Sequence, residues 1–164
     1  MNYVMTSIDF RDSGDLEFKN YELMVEFLLS FVISLRHSGY EDKIVVFAYK
    51  DIHTKLKGFL NANDVETVFA ESKSGQVVEN FRFYDFNNYM KNLNDDDFVF
   101  LYDLDVWFNK NPIDGFDFNK VKKCGFGIDY PGMKFDFFNC DESFRQQYEV
   151  NTTALFKKTN SFIN

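Results

Sequence analysis

Basic residues are in short supply. Lys and Arg number 18 against 26 Asp and Glu in 164 residues, a formal net charge of −8. That balance argues against a nucleic-acid partner, which takes a basic face. It leaves a nucleotide open, because a metal ion can neutralise a pyrophosphate beside acidic residues. Cysteine is nearly absent: Cys124 and Cys140 are the two, and without secretory context they read as buried free thiols rather than a disulfide. The opening MNYVMTSIDF has no basic segment before an apolar core, so it does not read as a signal peptide. Long hydrophobic runs are missing too. Met24 to Leu35 is too short to span a bilayer and contains Glu26. The expectation is a soluble, cytoplasmic chain with no transmembrane segment, in which the sequon Asn151-Thr152-Thr153 carries no weight. Repeats, linkers and low-complexity blocks are also lacking. Residues 1–164 are therefore expected to form one domain, long enough to bury about two-thirds of its unfolded surface.

What is abundant is aromatic: 22 Phe and 9 Tyr predict a bulky core. Tyr3 to Ile8 reads as a first strand, ending in the small polar residues Thr6-Ser7-Ile8-Asp9. Asn20 reads as the N-cap of a long helix whose Leu23, Phe27, Phe31 and Leu35 recur every four residues, closed by His37, Ser38 and Gly39. Ile44 to Ala48 is a buried strand, Asp51 caps a short helix through Leu60, and Val65 to Phe69 is a third strand. A helix over Gln76 to Leu93 precedes the acidic run Asp95 to Asp97, which reads as a solvated turn. Strand and helix alternating at this spacing predict an α/β fold with right-handed crossovers and a mostly parallel sheet flanked by helices. Beyond Pro112 the pattern weakens, with further strands around Val121 to Ile128 and Tyr148 to Lys157. His37 and His53 read as helix-end and surface residues, and Trp107 as packing in the core or at a sheet edge.

The chemistry concentrates in FVFLYDLDVWFNKNP, Phe98 to Pro112. Five apolar residues without polar alternation predict a strand covered on both faces, and it ends in Asp103 and Asp105. Ligands of open α/β sheets bind at the carboxyl ends of such strands. If strand geometry persists, side chains two apart share a face, and the two carboxylates could share Mg²⁺ or Mn²⁺ bridging diphosphate oxygens. The plainer alternative is a pair of acids in a solvated loop.

FLYDLDVWFNKNP resembles the DxD segment of GT-A-fold nucleotide-sugar glycosyltransferases, family-8-type enzymes in particular. SLRHSGYEDKIVVF is similar to their first helix and second strand. NFRFYDFNNYMKNL is similar to the helix before DxD, and NTTALFKKTNSF resembles their Asn-Thr-Gly strand. The resemblance implies a single Rossmann-like GT-A domain that transfers a sugar from an NDP-sugar, UDP-sugar foremost, to a hydroxyl of a glycan or other acceptor. By resemblance, Asp105 would bind Mn²⁺ or Mg²⁺ directly, and Asp103 would contact the ribose and the metal. Thr6, Ser7 and Asp9 would line the base, Arg82 would lie near the donor's phosphates or sugar, and Asn151 and Thr152 would face the sugar or acceptor.

The chain departs from the family at two points. Thr153 stands where a glycine is usual, and no histidine follows His53, although related enzymes often take a further metal ligand from a C-terminal segment. A minimal or truncated member, or a non-catalytic nucleotide-sugar or glycan binding module, is therefore the main alternative. A phosphatase of the haloacid-dehalogenase type is a second one. It also places DxD after an apolar strand, but normally has Thr or Val where Trp107 stands.

Overall fold

The computed structural model describes residues 1–9, 21–71, 78–120, 124–128 and 150–157. In chain order the elements are β1 (Asn2–Asp9), α1 (Tyr21–His37), β2 (Lys43–Tyr49), α2 (Thr54–Ala62), β3 (Val65–Phe69), α3 (Val78–Met90), β4 (Phe98–Leu101), a 3₁₀ turn at Phe118–Lys120, β5 (Cys124–Ile128) and β6 (Val150–Lys157). They form a six-stranded sheet in the order β3-β2-β1-β4-β6-β5. The first four positions are parallel, with Asp9 opposite Tyr49 and Met5 opposite Leu101. β6 runs antiparallel to both β4 and β5. The chain thus adds β2 and β3 on one side of β1, then returns to place β4 on the other. The α/β expectation holds.

Period-two alternation divides the sheet into two apolar layers. Val4, Ile8, Ile44, Val46, Ala48 and Phe100 turn to one face, where Leu28, Phe31, Val32 and Leu35 of α1 and Leu56 and Leu60 of α2 cover them. Met5, Val45, Phe47, Tyr49, Val99 and Leu101 turn to the other, against Phe86 of α3. Phenylalanine pairs edge-on in both layers, Phe31 with Phe108 at 5.2 Å and Phe47 with Phe86 at 4.7 Å.

The four-residue stripe of α1 ends where the sequence places it. Gly39 takes φ +88°; its N–H bonds to Arg36 O, and the Tyr40 N–H reaches Leu35 O. That is the paired closure which a left-handed residue after a helix permits. Arg36 then ties this corner together by donating to the carbonyls of Tyr40, Asp42, Asn63 and Asp64.

Four expectations need correction. Asp51 does not cap α2: His53 does, its Nδ1 accepting from Lys55 N at 3.2 Å, while Asp51 pairs with Lys57. Asp97 is not part of a solvated turn. It is 3% exposed and accepts from the Met1 amino group and from Asn94 N, each at 2.9 Å. Trp107 does not pack in the core or against the sheet but stands 61% exposed. β4 stops at Leu101, one residue short of the expected strand. Asn20 and Cys140 lie outside the described residues, as does the side chain of Cys124. Among the described residues no helix is long and apolar enough to cross a membrane.

Candidate functional site

The site lies where the strand order reverses, at the carboxyl ends of β1 and β4, the position at which open α/β sheets form a crevice. The β1–β4 ladder closes with Met5 opposite Leu101 and the Tyr102 N–H on Met5 O at 3.0 Å. Asp103 therefore leaves the sheet beside the Ser7–Asp9 end of β1. Leu104 and Asp105 form a turn, and the chain then folds back along the α1 face. Val106 and Phe108 are drawn into that layer, and the Phe108 N–H donates to the buried Ser34 Oγ at 3.2 Å. The expectation that Asp103 and Asp105 share one strand face fails, because the strand ends before either residue. Asp105 is exposed in the turn; Asp103 is half-buried.

Asp103 does not stand alone. Arg82, one turn into α3, places Nη2 2.7 Å from Asp103 Oδ1. Arg82 is 8% exposed, and its Nε has no hydrogen-bond partner among the described residues. A guanidinium stays ionised in any protein setting, so a permanent cation is buried at the strand ends and engages one carboxylate oxygen of the DxD pair.

The base-lining trio divides. Ser7 and Asp9 are buried and, by strand alternation, turn to the α3 face with Arg82. Thr6 turns to the opposite, α1 face, fully buried, its Oγ1 without a partner among the described residues. The structure thus brings Ser7, Asp9, Arg82 and Asp103 to one side and leaves Thr6 on the other. Asn151 and Thr152 open β6. Since Ala154 pairs with Leu101, the backbone of both residues comes level with the segment that follows β4.

Two residues at this end escaped the sequence reading. Tyr49, the last residue of β2, is fully buried and donates its hydroxyl to Asp85 Oδ2 at 2.7 Å. Burial, then the Asp85 hydrogen bond and charge, push the Tyr49 phenol well above its usual range, while Arg82 pulls the other way. The available signal was the spacing of Asp85, three residues after Arg82 and hence on the same helix face.

A hard cation suits this donor set. Mg²⁺ in particular binds through one or two carboxylates and completes its shell with water and substrate phosphates, and Asp103 is half-buried while Asp105 is exposed two residues on. Among the described residues no group of three or more His, Cys, Asp or Glu converges, so the remaining ligands would be diphosphate oxygens and water.

No family profile matches the chain, and no curated protein matches it. Among solved structures it is similar to 4-diphosphocytidyl-2C-methyl-D-erythritol synthase from Anaerococcus prevotii, at 14% identity and a TM-score of 0.50 over 95% of this chain and 70% of that one. At that identity the likeness is one of fold: the chain has the Rossmann-like α/β architecture of that synthase.

Proposed function

We propose that the chain is a metal-assisted glycosyltransferase that moves a sugar from an NDP-sugar, most simply a UDP-sugar, to a hydroxyl of a glycan or other acceptor. Residues 1–164 would act as one nucleotide-diphospho-sugar transferase domain. The observation that carries this reading is the Arg82–Asp103 pair of 2.7 Å at the β1–β4 switch point. The order of the sheet with its reversed β6, the resemblance of four segments, and a fold shared with a protein named for a diphosphocytidyl product support it.

In this reading Asp103 and Asp105 hold Mn²⁺ or Mg²⁺, which when bound supplies Lewis-acid stabilisation of the leaving diphosphate. Ser7 and Asp9 border the base. Arg82 sets the position of Asp103 and adds positive charge beside the phosphates, where charge grows as the glycosidic bond breaks. Asn151 and Thr152, at the start of β6, border the sugar or acceptor. Thr6, buried on the far face of β1, is left out of the base-lining set in this reading.

The test is a panel of UDP- and other NDP-sugars assayed with Mn²⁺ for hydrolysis and for transfer. Release of UDP that is lost in Asp103→Asn and Asp105→Ala supports the reading. Metal-dependent UDP binding with no turnover on any donor would make the chain a binding module instead, and hydrolysis of a generic phosphoester would make it a phosphatase.

A further inference from the structure

We infer that Tyr49 and Asp85 form a latch whose role is to position Arg82 over the strand ends, making them positioning residues for the Asp103 site; only the ligand-binding arm of the test below rests on the proposed function. Three strand ends lie side by side here: Tyr49 on β2, Asp9 opposite it on β1, and Asp103 just beyond β4. α3 crosses above them on the face to which Tyr49 points. A single turn of that helix is fastened at two places. Asp85 accepts from the Tyr49 hydroxyl at 2.7 Å on the β2 side, and Arg82 reaches Asp103 at 2.7 Å on the β4 side. Neighbouring strands are about 4.8 Å apart, so the two attachments straddle roughly 10 Å of sheet with β1 between them.

Apolar burial anchors the C-terminal part of this helix, where Phe86, Tyr89 and Met90 pack against the sheet. Nearer Arg82 that anchoring thins, because Phe83 and Tyr84 are both exposed. Tyr49–Asp85 is a polar attachment at that turn, placed to hold the Arg82 end of the helix. A phenylalanine would fill the same space at residue 49; what the tyrosine adds is a donor aimed at α3. Burial and the Asp85 bond hold that phenol well above its usual range, so it remains a protonated donor at neutral pH. The next residue, Lys50, has φ 113°, a conformation rare for any residue but glycine. Such strain persists where surrounding contacts over-determine the backbone, and it clusters at functional sites.

The latch acts through Arg82, and this distinguishes it from general support of the fold. Tyr49→Phe removes one oxygen and leaves the ring. Without any ligand, Arg82 Nε–H exchange with solvent, followed by NMR on the full chain, is expected to quicken on the order of tenfold in Tyr49→Phe, as loss of one hydrogen bond to a charged group implies. Asp85→Ala is expected to do the same, and Asp85→Asn, which keeps an acceptor oxygen, to restore most of the protection. With UDP and Mn²⁺ as probe, Tyr49→Phe is expected to raise Kd about tenfold, and to add little in an Arg82→Met background. Unchanged Nε–H exchange in both Tyr49→Phe and Asp85→Ala would overturn the latch, and so would penalties that simply add in the double variant. If the wild-type chain fails to bind UDP with Mn²⁺, the proposed function falls while the exchange measurement still decides the latch.

Discussion

Arg82 of α3 and Asp103 beyond β4 meet at 2.7 Å, 21 residues apart in the chain but joined at the switch point between β1 and β4. The arginine is nearly enclosed and the aspartate only half so. The pair therefore sets a buried cation against a partly exposed carboxylate at the strand ends. Replacing Arg82 with Met keeps the stem and removes the charge. Because water reaches Asp103, the loss should be less than for a fully buried pair, about 1–3 kcal/mol in urea unfolding. UDP with Mn²⁺ should bind more weakly. A variant as stable as the parent would mean that the pair is not a structural contact of the free protein.

The turn that carries Asp105 depends on a hydroxyl beneath it. Ser34, buried mid-helix in α1, donates to Phe31 O and accepts from Phe108 N, each at 3.2 Å. Ser34→Ala leaves the Phe108 N–H unmet in an apolar layer, which should reduce stability by about 1–3 kcal/mol. Amide exchange at Phe108 should quicken more than at the β1–β2 ladder. Equal changes at the two places would show a general loosening rather than a local one.

Gly39 tests a different kind of constraint. Its φ is +88°, and a Cβ there would meet nothing within 4 Å. Gly39→Ala is therefore expected to cost about 1 kcal/mol from the backbone alone, with Gly39→Asn costing less. A loss well above that, read from denaturant midpoints, would point to a steric role that the open space denies.

Much of this fold was readable because its signals are local. The four-residue stripe of α1, the glycine that closes it and the unbroken apolar run of β2 are each decided within a few residues. Two of the errors share one cause, a partner remote in sequence. Asp97 read as a solvated charge, and its partner Met1 lies 96 residues away. β4 read as longer than it is, because the extent of a strand is set by its neighbours, and β6 pairs it only as far as Leu101. Asp51 looked like a cap, but Lys57 claims its carboxylate and His53 takes the cap. In the site, Arg82 and Asp103 were each chosen, yet nothing in the sequence joined them. Tyr49 was hidden inside an apolar run, and Thr6 was grouped with Ser7 and Asp9 although strand alternation turns it away.

Asp97 also makes a pH prediction. Burial alone would raise its pKa, but hydrogen bonds from the Met1 amino group and from Asn94 outweigh burial and leave it below the usual carboxylate value. A depressed carboxylate stabilises the fold above its unfolded pKa and stops doing so as pH falls through its folded one. Stability should therefore decline as the pH drops below about 4. Asp97→Asn should be less stable at pH 7 and show a shallower acid limb. An acid limb identical to that of the wild type would remove Asp97 from the account.

The central claim is that Asp103 and Asp105 hold a cation that in turn holds a nucleoside diphosphate. Trp107 is the chain's single tryptophan, exposed and two residues past Asp105, hence within about 7 Å along the backbone. Its emission can report binding without a label. The direct measurement is a titration of UDP with and without Mn²⁺, followed by Trp107 fluorescence and checked by calorimetry. The account predicts saturable binding that Mn²⁺ strengthens by tenfold or more, about 1.4 kcal/mol, and that Asp105→Ala reduces to the metal-free level. Binding that is indifferent to Mn²⁺, or unchanged in Asp105→Ala, would contradict it.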